Sequence, residues 1–242
     1  MMLDVSGLTG GYGNLIVIRD ITFSMEAGET LSIIGSNGAG KSTLLWALAG
    51  MIRPRSGRVV FQERDITGLD CSRILRLGIG HVLQGTHVFS SLSVEDNLIL
   101  GAYGQKMKLR ELRERNLPIV YRYFPVLEKK RKQLAGSLSG GEKQMLAISS
   151  TLMCDLHLLF LDEPSAGLAP LLVKRLFEIL KDLREELNLT ILLVEQNAEA
   201  ALGFSNRGFV LAQGRIMLGG KSRDLITNEE VRRIYLGRGG IK

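Results

Sequence analysis

Eight residues constrain this chain more than any others: Gly35-Ser36-Asn37-Gly38-Ala39-Gly40-Lys41-Ser42. The run fits the pattern G-x-x-x-x-G-K-[ST], and it sits between an apolar stretch of strand length, Thr30 to Gly35, and a helix-like stretch beginning at Ser42. Strand, glycine-rich turn and helix in that order make a phosphate-binding unit. Glycines let backbone N–H groups converge on phosphate oxygens without a Cβ in the way, and the helix N-terminus adds a favourable dipole. Gly35, Asn37, Gly38, Ala39 and Gly40 form the cradle, and Lys41 brings a mobile positive charge to the β and γ phosphates. Ser42 offers a hydroxyl to Mg²⁺, with Thr43 beside it. The motif predicts a nucleoside triphosphate bound with magnesium.

A second feature belongs with the first. Leu158-Leu159-Phe160-Leu161 is an apolar run that ends in Asp162-Glu163. A strand buried on both faces is apolar throughout, so acids at its carboxyl end project into the crevice where α/β ligands bind. Asp162 is placed as a hard oxygen ligand for Mg²⁺, and Glu163 is placed to polarise an attacking water. Together with the glycine-rich loop this pair signals phosphoryl transfer, and the glutamate points to hydrolysis.

The rest of the chain reads as alternating elements. LDVSGLTGGYG and IVIRDITFSME resemble two short strands of an antiparallel edge sheet. GRVVFQ and GIGHVLQ continue the strand signal, the latter ending at Gln84. LHLLFLDEP, TILLVEQ and GFVLAQG then alternate with helical stretches, which predicts a covered, mostly parallel sheet. From about Ser93 to Gln133 helical spacing and charge dominate, interrupted by Pro118 and Pro125. The expected fold is therefore α/β: one nucleotide-binding domain over residues 1–242, an N-terminal antiparallel subdomain, a helical insert over 84–156 and a short helical tail over 223–242. A last hairpin is expected to turn at Gln213-Gly214.

Composition excludes several classes. The two cysteines, Cys71 and Cys154, have neither disulfide-scaffold nor zinc spacing. No apolar run reaches membrane-span length, and the N-terminus, with Asp4 among its first residues, does not read as a signal peptide, so a reduced, cytoplasmic setting is expected. The formal charge of +6 is spread over helical stretches such as Lys129 to Lys132, and aromatics make up only 6%. Nucleic acid is not an expected partner.

Leu138-Ser139-Gly140-Gly141-Glu142 opens a helix upstream of the Asp162 strand. A serine N-cap explains the helix start. With the two motifs above, it makes the chain resemble the ABC ATPases, whose signature is LSGG followed by Glu or Gln. The resemblance implies a P-loop NTPase core of ABC type that binds and hydrolyses ATP. It implies composite sites, in which Ser139, Gly140 and Gly141 meet the γ-phosphate of nucleotide held by a second subunit. It further assigns Tyr12 to adenine stacking and Gln84 to sensing magnesium and the attacking water. SLSGGEKQMLAI, DEPSAGLAP, ILLVEQN and EEVRRIYLG are similar to LivF-type subunits, which serve importers of branched-chain amino acids and of related amides or urea. That similarity implies a peripheral position on the inner face of the cell membrane. The implied partners are membrane permeases, indirectly a solute-binding protein, and either a LivG-like paralogue or a second copy of the chain.

Three positions depart from the wider family. Gln196 stands where a switch histidine is usual; it can hydrogen-bond a γ-phosphate but carries no charge. Ala169 replaces a common aspartate, and Ser150 a common arginine. None of His81, His87 and His157 takes the switch position.

Overall fold

The computed structural model describes residues 1–104, 108–229 and 231. A four-stranded antiparallel sheet contains β1 (Leu3–Tyr12), β2 (Leu15–Met25), β4 (Ser56–Phe61) and β5 (Arg64–Asp65), in the order β2-β1-β4-β5. A six-stranded sheet contains β3 (Thr30–Ile34), β6 (Ile79–Val82), β7 (Leu158–Asp162), β8 (Thr190–Glu195), β9 (Arg207–Ala212) and β10 (Arg215–Lys221), in the order β10-β9-β3-β8-β7-β6. All neighbours in it are parallel except β10, which returns antiparallel to β9.

The central strands β3, β7 and β8 are buried at every residue, as expected of parallel strands covered on both faces. Alternate residues serve two cores. Leu31, Ile33, Phe160, Leu192 and Val194 pack with α1 (Lys41–Leu48) and the antiparallel sheet. Leu159, Leu161, Ile191 and Leu193 pack with the helices of the other face. Those are α3 (Val94–Gly101), α5 and α6 (Leu117–Tyr123, Pro125–Lys129), α7 (Gly140–Leu152), α8 (Pro170–Leu187) and α9 (Ala198–Phe204); α2 (Cys71–Arg76) precedes β6, the short α4 (Leu109–Glu111) precedes α5, and α10 (Ser222–Thr227) follows β10. The α/β fold expected from the sequence is the fold observed.

Details differ from expectation. The first two strands are 10 and 11 residues long rather than short. Their length follows from β1 pairing on both sides, with β2 and β4. Strand β6 stops at Val82, paired with Leu161 next to the end of β7, so Gln84 lies in the loop beyond. Pro118 does not interrupt its helix. A π-helical segment, Leu112–Asn116, precedes it, and Pro118 occupies the first turn of α5, where a missing N–H costs little. The hairpin turns at Gln213 (φ 48°) and Gly214 (φ 75°), both in the left-handed region that a tight two-residue turn requires. Of the expected tail, α10 is present, and residues 232–242 lie outside the described residues.

Candidate functional site

The loops following β3, β6, β7 and β8 all open at the carboxyl edge of the sheet, and each carries a residue singled out in the sequence. Residues 35–40 rise from β3 into α1. Gly38 (φ 80°) and Gly40 (φ 105°) take backbone angles that side chains resist. Gly35 is set by close approach: a Cβ there would stand 2.6 Å from the Leu211 carbonyl oxygen. The loop is braced by the β9–β10 turn, because the Gly214 N–H donates to the Ala39 carbonyl at 2.9 Å and the Arg19 N–H donates to the Gly214 carbonyl at 2.8 Å. Asn37 is exposed at the crest, whereas Ala39 is buried.

Two side-chain contacts join this loop and the start of α1 to the end of β7, and a third joins the end of β7 to the loop after β6. The Lys41 ammonium lies 2.9 Å from Glu163 Oε1 and donates to the Gly35 and Ser36 carbonyls at 2.9 and 3.2 Å. Ser42 Oγ donates to Asp162 Oδ1 at 2.9 Å. Gln84 Nε2 donates to Glu163 Oε2 at 2.9 Å. Glu163 itself has φ 46°, a sharp turn off the end of β7 that is held by its N–H donating to the Val194 carbonyl. Such an angle on a glutamate costs about 1 kcal/mol or more and aims its side chain into the crevice.

Asp162 is 0% exposed, and its Oδ2 has no hydrogen-bond partner among the described residues. Burial pushes its pKa up to about 6, and the neighbouring Glu163 adds to the rise, while the Ser42 hydroxyl opposes it. A buried carboxylate oxygen without a donor is an unmet need that a hard cation satisfies.

Tyr12 ends β1 on the other side of α1. Its hydroxyl is 3.3 Å from Thr43 Oγ1, and its ring meets Trp46 edge-on at 6.3 Å between centroids. Tyr12 remains 44% exposed. Gln196 is exposed, at the wall of a cleft of about 580 Å³ that also touches Glu163, Ser165, Ala166 and Asn197.

Ser139, Gly140 and Gly141 are not part of this cluster. Ser139 caps α7 reciprocally with Glu142, accepting from the Glu142 N–H while its own N–H donates to Glu142 Oε2 at 3.0 Å. A Cβ on Gly140 would meet nothing within 4 Å. Among the described residues no hydrogen bond or ion pair joins this turn to the phosphate loop.

The structure also brings in residues that sequence reasoning passed over. Glu195, the last residue of β8, is buried at the same edge and accepts from the Ser165 N–H at 2.9 Å. An acid closing an apolar strand, as in β7, was its visible signal. Asn97 accepts from the Phe89 N–H at 2.8 Å and donates to the Ser93 carbonyl at 2.8 Å, tying the segment after Gln84 to α3. Ser150, which the sequence did single out as a departure, turns its hydroxyl back on the Leu146 carbonyl, where α7 crosses α3 so closely that a Cβ on Gly101 would lie 2.1 Å from the Ser150 carbonyl oxygen.

A glycine-rich cradle between a parallel strand and a helix, with lysine, serine and two strand-end acids converging on it, defines a P-loop nucleotide-binding ATPase. Residues 18–166 match the ABC transporter family, and the chain belongs to that family. It is 41% identical over 236 residues to the high-affinity branched-chain amino acid transport ATP-binding protein BraG of Pseudomonas aeruginosa, covering 98% of this chain and 100% of that one. It is 36% identical to the probable branched-chain amino acid transport ATP-binding protein LivF of Archaeoglobus fulgidus, covering 98% and 99%. A bacterial ABC transporter cassette solved as a dimer superposes with a TM-score of 0.81 at 25% identity, covering 92% of this chain and 99% of that one. The chain is thus an ATP-binding cassette that hydrolyses ATP.

Proposed function

We propose that this cassette is the motor of an importer for branched-chain amino acids or related amides or urea, and that it works as one half of an ATP-closed dimer. The solute class is supported by BraG and LivF, whose names carry branched-chain amino acid transport and which match nearly the whole chain. The observation that carries the catalytic reading is the convergence of Lys41, Ser42, Gln84, Asp162 and Glu163 through three contacts of 2.9 Å.

In this reading the amides of Gly35 to Ser42 hold the β and γ phosphates and Lys41 neutralises them, with Thr43 completing the first helical turn. Tyr12 stacks on adenine, presented by its contacts with Thr43 and Trp46. Asp162 and Ser42 fit Mg²⁺, since the unpartnered Asp162 Oδ2 is a buried anionic oxygen seeking a cation, and Gln84 adjoins the same space. Bound there, Mg²⁺ would supply charge that stabilises the phosphate oxygens. Glu163 takes the proton of the attacking water, oriented by Gln84. A γ-phosphate beside Lys41 competes for its ammonium and frees Glu163 for that role. Gln196 donates to the γ-phosphate as a neutral group.

Ser139, Gly140 and Gly141 serve the other subunit's nucleotide, a reading supported by the open space at Gly140 and by the lack, among the described residues, of any hydrogen bond or ion pair from this turn to the chain's own cradle. The second subunit is a LivG-like paralogue bearing the switch histidine, or a second copy. Among the described residues no helix is long and apolar enough to cross a membrane, so contact with the bilayer runs through permease subunits at its inner face. Exposed Phe89, between Gln84 and α3, and exposed Tyr103, just after α3, suit such a contact. A solute-binding protein acts one step further away.

The test is steady-state ATP turnover of the chain and of Glu163→Gln, with size-exclusion chromatography in Mg-ATP. Turnover by the wild type, loss in Glu163→Gln and a nucleotide-dependent shift of that variant to twice the mass support the reading. A hydrolysing Glu163→Gln chain would refute the role given to Glu163.

A further inference from the structure

We propose that Glu195 is a positioning residue that staples the loop after β7 to the loop after β8, so that Glu163 and Gln196 are held in one fixed relation. The inference rests on the roles given above to those two residues. Glu195 is 2% exposed, and among the described residues no lysine or arginine lies within ion-pair distance of it. Burial and the nearby Glu163 carboxylate both disfavour its charge. A glutamate that expensive to bury, at a strand end, needs an explanation beyond packing.

The explanation is in its acceptors. Oε1 accepts the Ser165 N–H at 2.9 Å, and the Ser165 hydroxyl adds to the same carboxylate. Oε2 accepts the Gln196 N–H at 3.2 Å, and the Asn197 amide also faces it. One side chain therefore satisfies donors on two different loops. Ser165 in turn fixes what surrounds it, because the Ala166 N–H donates to the Glu163 carbonyl and the Leu168 N–H donates to the Ser165 carbonyl, each at 3.1 Å. The next helix gives no help: Ala169 at the start of α8 has no side chain to cap it. Glu195 also lies opposite Ile34 in the β3–β8 register, immediately before Gly35, so the staple stands at the meeting point of three site loops.

A carboxylate is the side chain this geometry calls for, since it accepts at both oxygens. Glutamine of the same shape has one acceptor and one NH₂, so it can serve one loop and opposes the other. In the full chain, Glu195→Gln is expected to speed amide hydrogen exchange at least tenfold in residues 163–169 and 196–198 together, leaving residues 139–146 unchanged. Its kcat falls at least tenfold while KM for ATP stays within twofold, and adding Gln196→Ala lowers kcat no further. Ser165→Ala, which removes only the hydroxyl, is expected to loosen both loops to a smaller degree. Exchange that rises in one loop alone or in neither, or joint loosening with kcat unchanged, overturns the proposal. Gln196→Ala alone separates the two layers of argument. Unchanged turnover there overturns the role given to Gln196, while joint loosening with lost kcat in Glu195→Gln still supports the staple.

Discussion

The phosphate loop and the Ser139-Gly140-Gly141 turn both lead into helix N-termini, yet the fold holds them in contrasting ways. Gly40 opens α1 with no side-chain cap, and the loop before it is locked from outside by Leu211, Gly214 and Arg19. The α7 turn caps itself through Ser139 and Glu142 and faces open space at Gly140. The first region is preorganised entirely within one chain, with its lysine, serine and acids already in contact. The second is a finished helix end that, among the described residues, no hydrogen bond or ion pair joins to the phosphate loop. In the reading proposed above, the space in front of Gly140, where a Cβ would meet nothing within 4 Å among the described residues, is filled by the nucleotide of another subunit.

Substitutions can break or sharpen this contrast. The largest effect belongs to the interlocked side: Glu163→Gln is expected to lower ATP turnover by about 10³-fold, the scale of a lost general base, as measured by phosphate release. Gly140→Ala should lower turnover by about 10²-fold by pushing an anion off a helix end, yet raise stability by about 0.5–1 kcal/mol as a helical glycine replaced. A fall in Tm parallel to the fall in turnover would mean that Gly140 is structural after all. Asp162→Asn tests the buried carboxylate. The folded-state pKa of Asp162, about 6, lies above its ordinary 3.8, so the fold favours the protonated form and stability from this group rises as pH drops from about 7 to 4. In metal-free buffer Asp162→Asn is therefore expected to be more stable at pH 7 by up to about 3 kcal/mol, with the advantage gone at pH 4 in denaturant titrations. Gly35→Ala, whose Cβ would press on the Leu211 carbonyl, should cost about 1–3 kcal/mol, unlike Gly140→Ala. The smallest effect is a gain: Ala169→Asp supplies the missing cap of α8 and should add about 1 kcal/mol in the same assay.

The contrast also explains what was legible in the sequence. Lys41, Ser42, Asp162 and Glu163 could be read because each lies inside a short motif whose strand or helix context is local. The α/β fold could be read because β3, β7 and β8 are apolar at nearly every residue, a pattern set by their cover on both faces. What depended on distant partners could not. Gly214 was visible as a turn residue, but nothing in sequence tells that its N–H braces Ala39 from 175 positions away. Glu195 resembled the end of a strand, and its two-loop role emerged only when Ser165 was brought beside it. Gln84 was expected to end its strand and instead sits free of it, because the pairing of β6 with β7 stops at Val82. Pro118 was expected to break a helix, and the π-helical segment before it absorbs the fault.

The central claim is that each nucleotide site is finished by another subunit, and a mixing experiment tests it most directly. Glu163→Gln and Gly140→Asp chains, each inactive alone, are combined at equal concentration and assayed for ATP turnover. If the sites are shared between copies, mixed dimers carry one intact phosphate side facing one intact signature turn, and turnover returns to about a quarter of the wild-type value, since half of randomly paired dimers are mixed. Turnover no greater than the sum of the two separate chains, under conditions where they associate, would contradict the account.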